Sequence, residues 1–282
     1  VPVTILINSG YNVPFLLISL AMLTVIIITK NEESNIRRCL ESVRFADEII
    51  VVDSGSTDNT VAIAREYTDK VFQTDWQGYG IQKQRALAKA TGDWVLNLDA
   101  DESVSSALQE EIMKVISSDS ADAFRVPIQM FFYNKLLKYS ASPKRHIRLF
   151  KRANANYSND IVHEKILVSA TARIGKLKNA IQHHSYRDLS HVLYKLNKYS
   201  SYSAKIRIES NKNMSFIRVL ASTSWMFSRC FILQRGFLDG KLGFLFAVIS
   251  AQGTFYRGVK QIYRDRNINE LPCITNTDKD EM

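Results

Sequence analysis

The stretch Leu23-Thr-Val-Ile-Ile-Ile-Thr29, running into Lys30-Asn-Glu-Glu33, decides how this chain folds. Seven mostly β-branched residues without polar alternation, ending at a charged turn, read as a parallel strand buried on both faces. Working outward, Glu48-Ile-Ile-Val-Val-Asp53 and Asp93-Trp-Val-Leu-Asn-Leu-Asp99 are strands of the same kind, and Lys70-Val-Phe-Gln73 is a shorter one. Helical spacing fills the intervals. It runs from Asn35 to Val43 with Ser34 as N-cap, from Asn59 to Tyr67, from Ile81 to Ala90 with Gly92 at the C-cap, and from Val104 to Ile116. Strand–helix alternation with short polar turns predicts an α/β domain with a mostly parallel sheet.

Upstream, residues 1–29 carry no charged side chain, and Val13 to Ile28 is a mostly apolar run. The run lacks the basic start of a signal peptide and is short for a bilayer span. Its second half cannot both join a sheet and cross a membrane. The expectation is that Met22 is the natural start and that 1–21 is a non-native or flexible extension.

Downstream of Phe124 the pattern changes. Ala123-Phe-Arg-Val-Pro-Ile128, Arg145-His-Ile-Arg-Leu-Phe150 and Lys165-Ile-Leu-Val168 suggest further strands, some antiparallel. Asp188 to about Asn211 reads as a basic amphipathic helix. Phe216 to Tyr263 is apolar and aromatic, punctuated by Arg218, Arg229, Arg235, Lys241, Arg257 and Lys260. Without an uninterrupted span of ~20 apolar residues, this region reads either as interfacial helices at an anionic leaflet or as helices covering the core with a basic outer face. Residues 266–282 form a polar tail.

Composition narrows the function classes. The chain has 282 residues, 46% hydrophobic and 23% charged, with a mean hydropathy of −0.13. These values exclude a disordered chain and a multi-span membrane protein. Cys39, Cys230 and Cys273 give neither a disulfide framework nor zinc spacing, which suits a reducing compartment. Residues 30–124 carry 10 Lys/Arg against 18 Asp/Glu, whereas 125–265 carry 25 against 6, so the two halves face different partners. Without helix-turn-helix, zinc-finger or RNA-binding signatures, anionic lipid or a phosphorylated substrate suits the basic half better than nucleic acid.

Ligands of open α/β sheets bind beyond the carboxyl ends of the strands. Acids gather there in three separate loops: Glu32 and Glu33, Asp53, then Asp99 and Asp101. Asp99-Ala-Asp101 is a DxD element, able to hold a hard divalent cation (Mg2+ or Mn2+) whose remaining ligands are diphosphate oxygens.

Three motifs in order, Thr24-Val-Ile-Ile-Ile-Thr-Lys-Asn-Glu-Glu33, Val51-Val-Asp-Ser-Gly-Ser-Thr-Asp58 and Asn97-Leu-Asp-Ala-Asp-Glu102, closely resemble the family 2 glycosyltransferases of the GT-A fold. Downstream, Val162-His-Glu164, Ile181-Gln-His-His-Ser-Tyr-Arg187 and Arg235-Gly-Phe-Leu-Asp-Gly-Lys-Leu-Gly243 resemble the bacterial lipopolysaccharide inner-core β-1,4-glucosyltransferases of the WaaE, KdtX and LgtF type, as does Asp75-Trp-Gln-Gly-Tyr-Gly80. The implied fold is a Rossmann-like nucleotide-diphospho-sugar transferase domain with a mixed, mostly parallel sheet and a basic, helical C-terminal extension. Residues 22–124 would bind the nucleotide sugar, 125–212 the acceptor, and 213–265 would lie near the membrane.

The resemblance also implies roles. Thr29, Asn31 and Glu32 match the first nucleotide loop, and Asp53, with Ser54, the uracil-binding turn. Lys83 is a candidate diphosphate partner or a plain surface lysine. Asp99 and Ala100 would contact the nucleotide sugar, while Asp101, Asp99 and His183 would hold the metal. Glu164 falls where the family places its base, or forms a salt bridge, and His163 would orient it or bind acceptor. Arg145 and Arg148 would meet an anionic acceptor. The implied partners are a UDP-sugar donor, the lipopolysaccharide inner core and an anionic membrane surface, with the enzyme peripheral on the cytoplasmic face of the bacterial inner membrane. A polyprenyl-phosphate acceptor and a non-catalytic sugar-nucleotide-binding scaffold are the alternatives.

Overall fold

The computed structural model describes residues 21–118, 120–133, 135–141, 144–157, 166–186, 188–211 and 213–264. Its first half alternates β1 (Leu23–Thr29), α1 (Ile36–Glu41), β2 (Glu48–Asp53), α2 (Thr60–Ala64), β3 (Val71–Gln73), α3 (Tyr79–Lys89), β4 (Trp94–Asp99), β5 (Glu102–Val104) and α4 (Ser106–Ile116). The second half adds β6 (Ala123–Phe132), β7 (Lys135–Leu136), β8 (Lys144–Lys151), β9 (Ala155–Tyr157), β10 (Ile166–Val168), β11 (Ile174–Lys176) and β12 (Ile181–Tyr186). Three helices follow: α5 (Leu189–Glu209), α6 (Phe216–Ser228) and α7 (Gly240–Tyr263). Residues 1–20 of the expected 1–21 extension, and the tail from 266, lie outside the described residues.

Among the described residues the main sheet has ten strands, with the path β3-β2-β1-β4-β8-β6-β12-β5. The block β3-β2-β1-β4 is parallel. β8 runs antiparallel between β4 and β6, and β12 lies parallel to β6. The winding reverses between β1 and β4, which opens a crevice at their carboxyl ends.

All seven β1 residues are buried, because helices cover both faces of the sheet. Leu23, Val25 and Ile27 pack with Ile36, Leu40, Leu108 and Ile112, while Ile26 and Ile28 pack on the other face with Tyr79, Ala86 and Leu87. Alternate side chains thus serve two cores, which is why the sequence shows no polar alternation.

Local expectations needed three corrections. Asn35, not Ser34, precedes α1, and its side chain makes no capping bond. Glu102–Val104 is a strand paired with β12, so α4 begins only at Ser106, capped by Ser105. α3 ends on an extended Ala90. Gly92 is instead pressed against β1, where an added Cβ would come within 2.7 Å of Thr24 Oγ1.

α7 packs against both α5 and α6. The Arg235–Gly243 motif builds the turn before it. A Cβ on Gly243 would lie 1.8 Å from the Gly236 carbonyl oxygen, so the two backbones can cross only there. Asp239 accepts from the amides of Lys138, Tyr139 and Ser140 at 2.8–3.0 Å and from the Ser140 hydroxyl at 2.7 Å. Phe216–Leu233 is an 18-residue helical segment of mean hydropathy 1.2, only 11% of it buried. It is long and apolar enough to cross a membrane by length and composition alone.

Candidate active site

Strand register assembles the crevice. Thr29 at the end of β1 is paired with Asp53 at the end of β2, and Ile28 with Asp99 at the end of β4. The three acid-bearing loops therefore open on one edge of the sheet.

The first two loops are zipped together. Buried Asp53 accepts from the Gly55 amide at 3.0 Å, the Ser56 amide at 2.9 Å and the Ser56 hydroxyl. Gly55 supplies the turn's left-handed backbone, with φ +85°. Asn31, also left-handed at φ 56°, donates its amide to Ser56 Oγ at 2.8 Å and accepts from the Thr57 amide at 2.9 Å. The Glu32 amide donates to Thr60 Oγ1 at 2.8 Å, and its carboxylate accepts from Asn35 Nδ2 at 2.7 Å. Asn31, Glu32 and Asp53 thus shape the pocket wall, and the Asp53 carboxylate keeps spare lone-pair capacity. The buried Thr29 hydroxyl has no hydrogen-bond partner among the described residues, leaving it open to a ligand. Ser54 Oγ accepts from Gln82 Nε2 at 2.8 Å.

The end of β4 carries the densest charge. Lys83, 4% exposed, reaches Asp99 Oδ1 at 3.2 Å. Arg148 Nη2 donates to Asp99 Oδ2 and to Glu102 Oε1, both at 2.8 Å. The Asp99 amide donates to Glu102 Oε2 at 3.0 Å. Burial raises the Asp99 carboxyl, but Arg148 and Lys83 outweigh it and hold it well below the usual carboxylate range. Glu102 goes the other way: burial, with Asp99 and Asp101 nearby, outweighs Arg148 and pushes it to about 7. One step along the chain, His183 Nε2 lies 2.9 Å from Asp101 Oδ2. Burial disfavours the imidazolium, yet Asp101 raises His183 to about 9 and is itself lowered in return.

These contacts sort the sequence expectations. Thr29, Asn31, Glu32, Asp53, Ser54, Lys83, Asp99, Asp101 and His183 all come to the one crevice. Ala100 does not offer its side chain, which is 4% exposed and packs in the hydrophobic core. Arg148 is not on an acceptor-facing surface: it is 7% exposed and neutralises Asp99 and Glu102 from inside. Arg145 is exposed, with one guanidinium nitrogen donating to the Leu177 carbonyl at 2.6 Å. His163 and Glu164 lie outside the described residues. Their segment is bracketed by Tyr157 and Ile166, a paired couple of β9 and β10, and the Tyr157 amide donates to Gln84 on α3 at 2.8 Å.

Two members went unassigned from sequence. Glu102 directly follows Asp101 of the DxD element, and that adjacent pair of acids was its signal. Gln82 lies with Lys83 on the buried Tyr79–Ala86 face of α3; polar residues at core spacing were the available sign.

Among the described residues no group of three or more His, Cys, Asp or Glu forms a ready metal cage. The donor set nevertheless fits a divalent ion at Asp101 and His183. Adjacent ligands of an octahedral ion at ~2.1 Å stand about 3 Å apart, close to the 2.9 Å seen between Oδ2 and Nε2. The metal would replace the proton that His183 now shares. Asp99 fits less well, because both its oxygens face cations.

Comparison with known proteins bears on the same residues. The family model "Glycosyl transferase family 2" matches residues 24–179. An uncharacterized glycosyltransferase of Rickettsia felis is 35% identical over 246 residues, 83% of this chain and 87% of that protein. The lipopolysaccharide core biosynthesis glycosyltransferase LpsC of Rhizobium meliloti is 31% identical over 267 residues, 89% of this chain and 96% of its own length. Among solved structures, S. aureus TarS 1-349 in complex with UDP-GlcNAc aligns at 20% identity and a TM-score of 0.44, covering 88% of this chain and 90% of that one. With the family match spanning all three acid-bearing loops, the chain belongs to glycosyl transferase family 2 and has its GT-A fold.

Proposed function

We propose that this glycosyltransferase is inverting and metal-assisted, and transfers glucose from UDP-glucose to a heptose of the lipopolysaccharide inner core in β-1,4 linkage. The observation that carries the transfer chemistry is the Asp101–His183 pair beside the Lys83–Asp99–Arg148 cluster at the sheet's carboxyl edge. The acceptor class is supported by near-full-length relatedness to LpsC, named for lipopolysaccharide core biosynthesis.

In this reading the Asp53 loop receives uracil, and the open Thr29 hydroxyl meets the nucleotide. Lys83 turns from Asp99 to the diphosphate, while Arg148 keeps Asp99 ionised and its oxygens aimed. Asp101 and His183 would hold a divalent cation, which would supply charge neutralisation at the UDP leaving group. Inversion needs a base opposite that leaving group. Glu164, oriented by His163, takes the proton of the acceptor hydroxyl as its oxygen bonds to C1. The C1–phosphate oxygen bond breaks, and its electron pair leaves with UDP. Arg145, exposed and with one guanidinium nitrogen on the Leu177 carbonyl, meets the anionic acceptor in this reading.

The C-terminal helices supply the membrane contact at the cytoplasmic leaflet. Ile217, Leu220, Trp225, Ile232, Phe237 and Phe244 are all exposed. Between 213 and 264 the sole acid is Asp239, already engaged by Lys138–Ser140. An apolar, net-positive face of this kind suits anionic lipid. The same exposed face favours a second reading, transfer to a polyprenyl-phosphate.

Incubation with UDP-glucose and heptose-terminated core lipopolysaccharide tests the proposal. The product should gain one hexose in a β-linkage. Glucose on a polyprenyl-phosphate, with none on the core, would replace the first reading by the second.

A further inference from the structure

Away from the crevice, α5 and α7 enclose a cleft of about 300 Å3. Lys195, Arg257, Ser200, Ser203, Ser250 and Thr254 are among its lining residues, and no carboxylate lines it. Arg257 is half-buried and has no ion-pair partner among the described residues. Its Nε is buried without a hydrogen-bond acceptor. Burial, and then the neighbouring Arg207 cation, lower its affinity for its proton. One turn on, Lys260 adds positive charge and donates to the Asn197 carbonyl and Oδ1 and to the hydroxyls of Ser200 and Ser201, at 2.7–2.9 Å. Two packed helices thus gather cations and hydroxyls around a guanidinium whose Nε has no acceptor among the described residues, a setting that suits an anion.

We propose that this cleft binds a phosphate group, with Arg257 its principal donor and Lys195 the link to the catalytic crevice. Lys195 is 5% exposed and lines the cleft, and its helix α5 packs against β12, the strand that carries His183. A molecule held here by its phosphate would reach toward the metal-side acid. The Thr254 hydroxyl, now spending a 3.2 Å bond on the Ser250 carbonyl of its own helix, can turn to a phosphate oxygen. The group is either a phosphate of the acceptor or a lipid headgroup at the neighbouring α6–α7 face. The first source rests on the transfer reading above; the phosphate site itself does not.

The test is calorimetric titration of inorganic phosphate into the full chain saturated with UDP and Mn2+, at constant ionic strength, so that the donor site is filled. The expected result is one phosphate per chain, weakened at least about tenfold by Arg257→Ala and less by Arg257→Lys, with UDP affinity as the control for folding. Equal phosphate affinity in all three proteins overturns the proposal. Two further arms name the source. A rise in acceptor KM for Arg257→Ala that disappears with phosphatase-treated acceptor assigns the acceptor's phosphate. Loss of binding to phosphatidylglycerol vesicles with acceptor KM unmoved assigns a headgroup. If no acceptor is glycosylated at all, the transfer reading fails while the titration still decides the cleft.

Discussion

His183 stands against Asp101 because two strands far apart in sequence meet. β12 pairs antiparallel with β5, placing His183 opposite Glu102, and the His184 amide donates to the Asp101 carbonyl at 3.0 Å. The imidazole and carboxylate of the proposed metal site are thus fixed by backbone, not by flexible side chains alone. Asp101→Ala should lower turnover at least about a hundredfold, and His183→Ala should raise the metal concentration for half-maximal activity about tenfold or more. Metal titrations of initial rate check both. A His183→Ala enzyme with unchanged metal dependence would remove His183 from the site.

Arg148 tests structure against recognition. Arg148→Met leaves buried Glu102 without its cation and Asp99 with Lys83 alone, a loss on the order of 3 kcal/mol. Thermal unfolding should show a clear drop in Tm. A raised acceptor KM at unchanged Tm would return Arg148 to the acceptor role its sequence position first suggested.

How much of this was legible beforehand depended on distance along the chain. β1, β2 and β4 were readable because their burial on two faces writes an unbroken apolar run, and their acids follow at once. Glu102–Val104 was absorbed into the helix after it, since only Ile181, 77 positions downstream of Val104, makes it a strand. Gly92 looked like a helix stop because its contact with Thr24 lies across the sheet. Arg148 read as a surface cation for the same reason: β8 inserts antiparallel beside β4, with Leu149 opposite Leu96, and only that pairing brings its guanidinium to Asp99.

Glu164→Gln keeps shape and removes basicity. Transfer should fall by about 10²-fold or more, while UDP binding survives. Near-normal turnover would discard Glu164 as the base.

Glu48 governs acid stability. Its carboxylate, 3% exposed, accepts from Thr24 Oγ1 at 2.5 Å, from the Thr91 amide and hydroxyl at 2.8 and 2.9 Å, and from Lys70 Nζ. Burial opposes ionisation, but Lys70, Thr24 and Thr91 prevail and lower it from 4.5 to about 2. A pKa depressed in the folded state stabilises above the unfolded value, and that contribution is lost as pH falls through the folded one. Glu48→Gln should therefore cost up to about 3 kcal/mol at pH 7. The gap to wild type should close between pH 4.5 and about 2. Urea unfolding across that range measures it; a gap independent of pH would contradict the assignment.

The Arg235–Gly243 motif is read as architecture. Gly243→Ala puts a methyl 1.8 Å from the Gly236 carbonyl oxygen, so α7 must shift, at a loss of about 2 kcal/mol or more. Tm should fall while UDP affinity of the folded fraction holds. A loss of UDP binding with Tm preserved would instead place the motif in the donor site.

The most direct test of the central claim is transfer from a panel of UDP-sugars to heptose-terminated core lipopolysaccharide, with Mn2+, with Mg2+ and with EDTA. The account predicts glucose transfer that EDTA abolishes, that added metal restores, and that no metal restores in Asp101→Ala. Undiminished transfer in EDTA, or by Asp101→Ala, would contradict it.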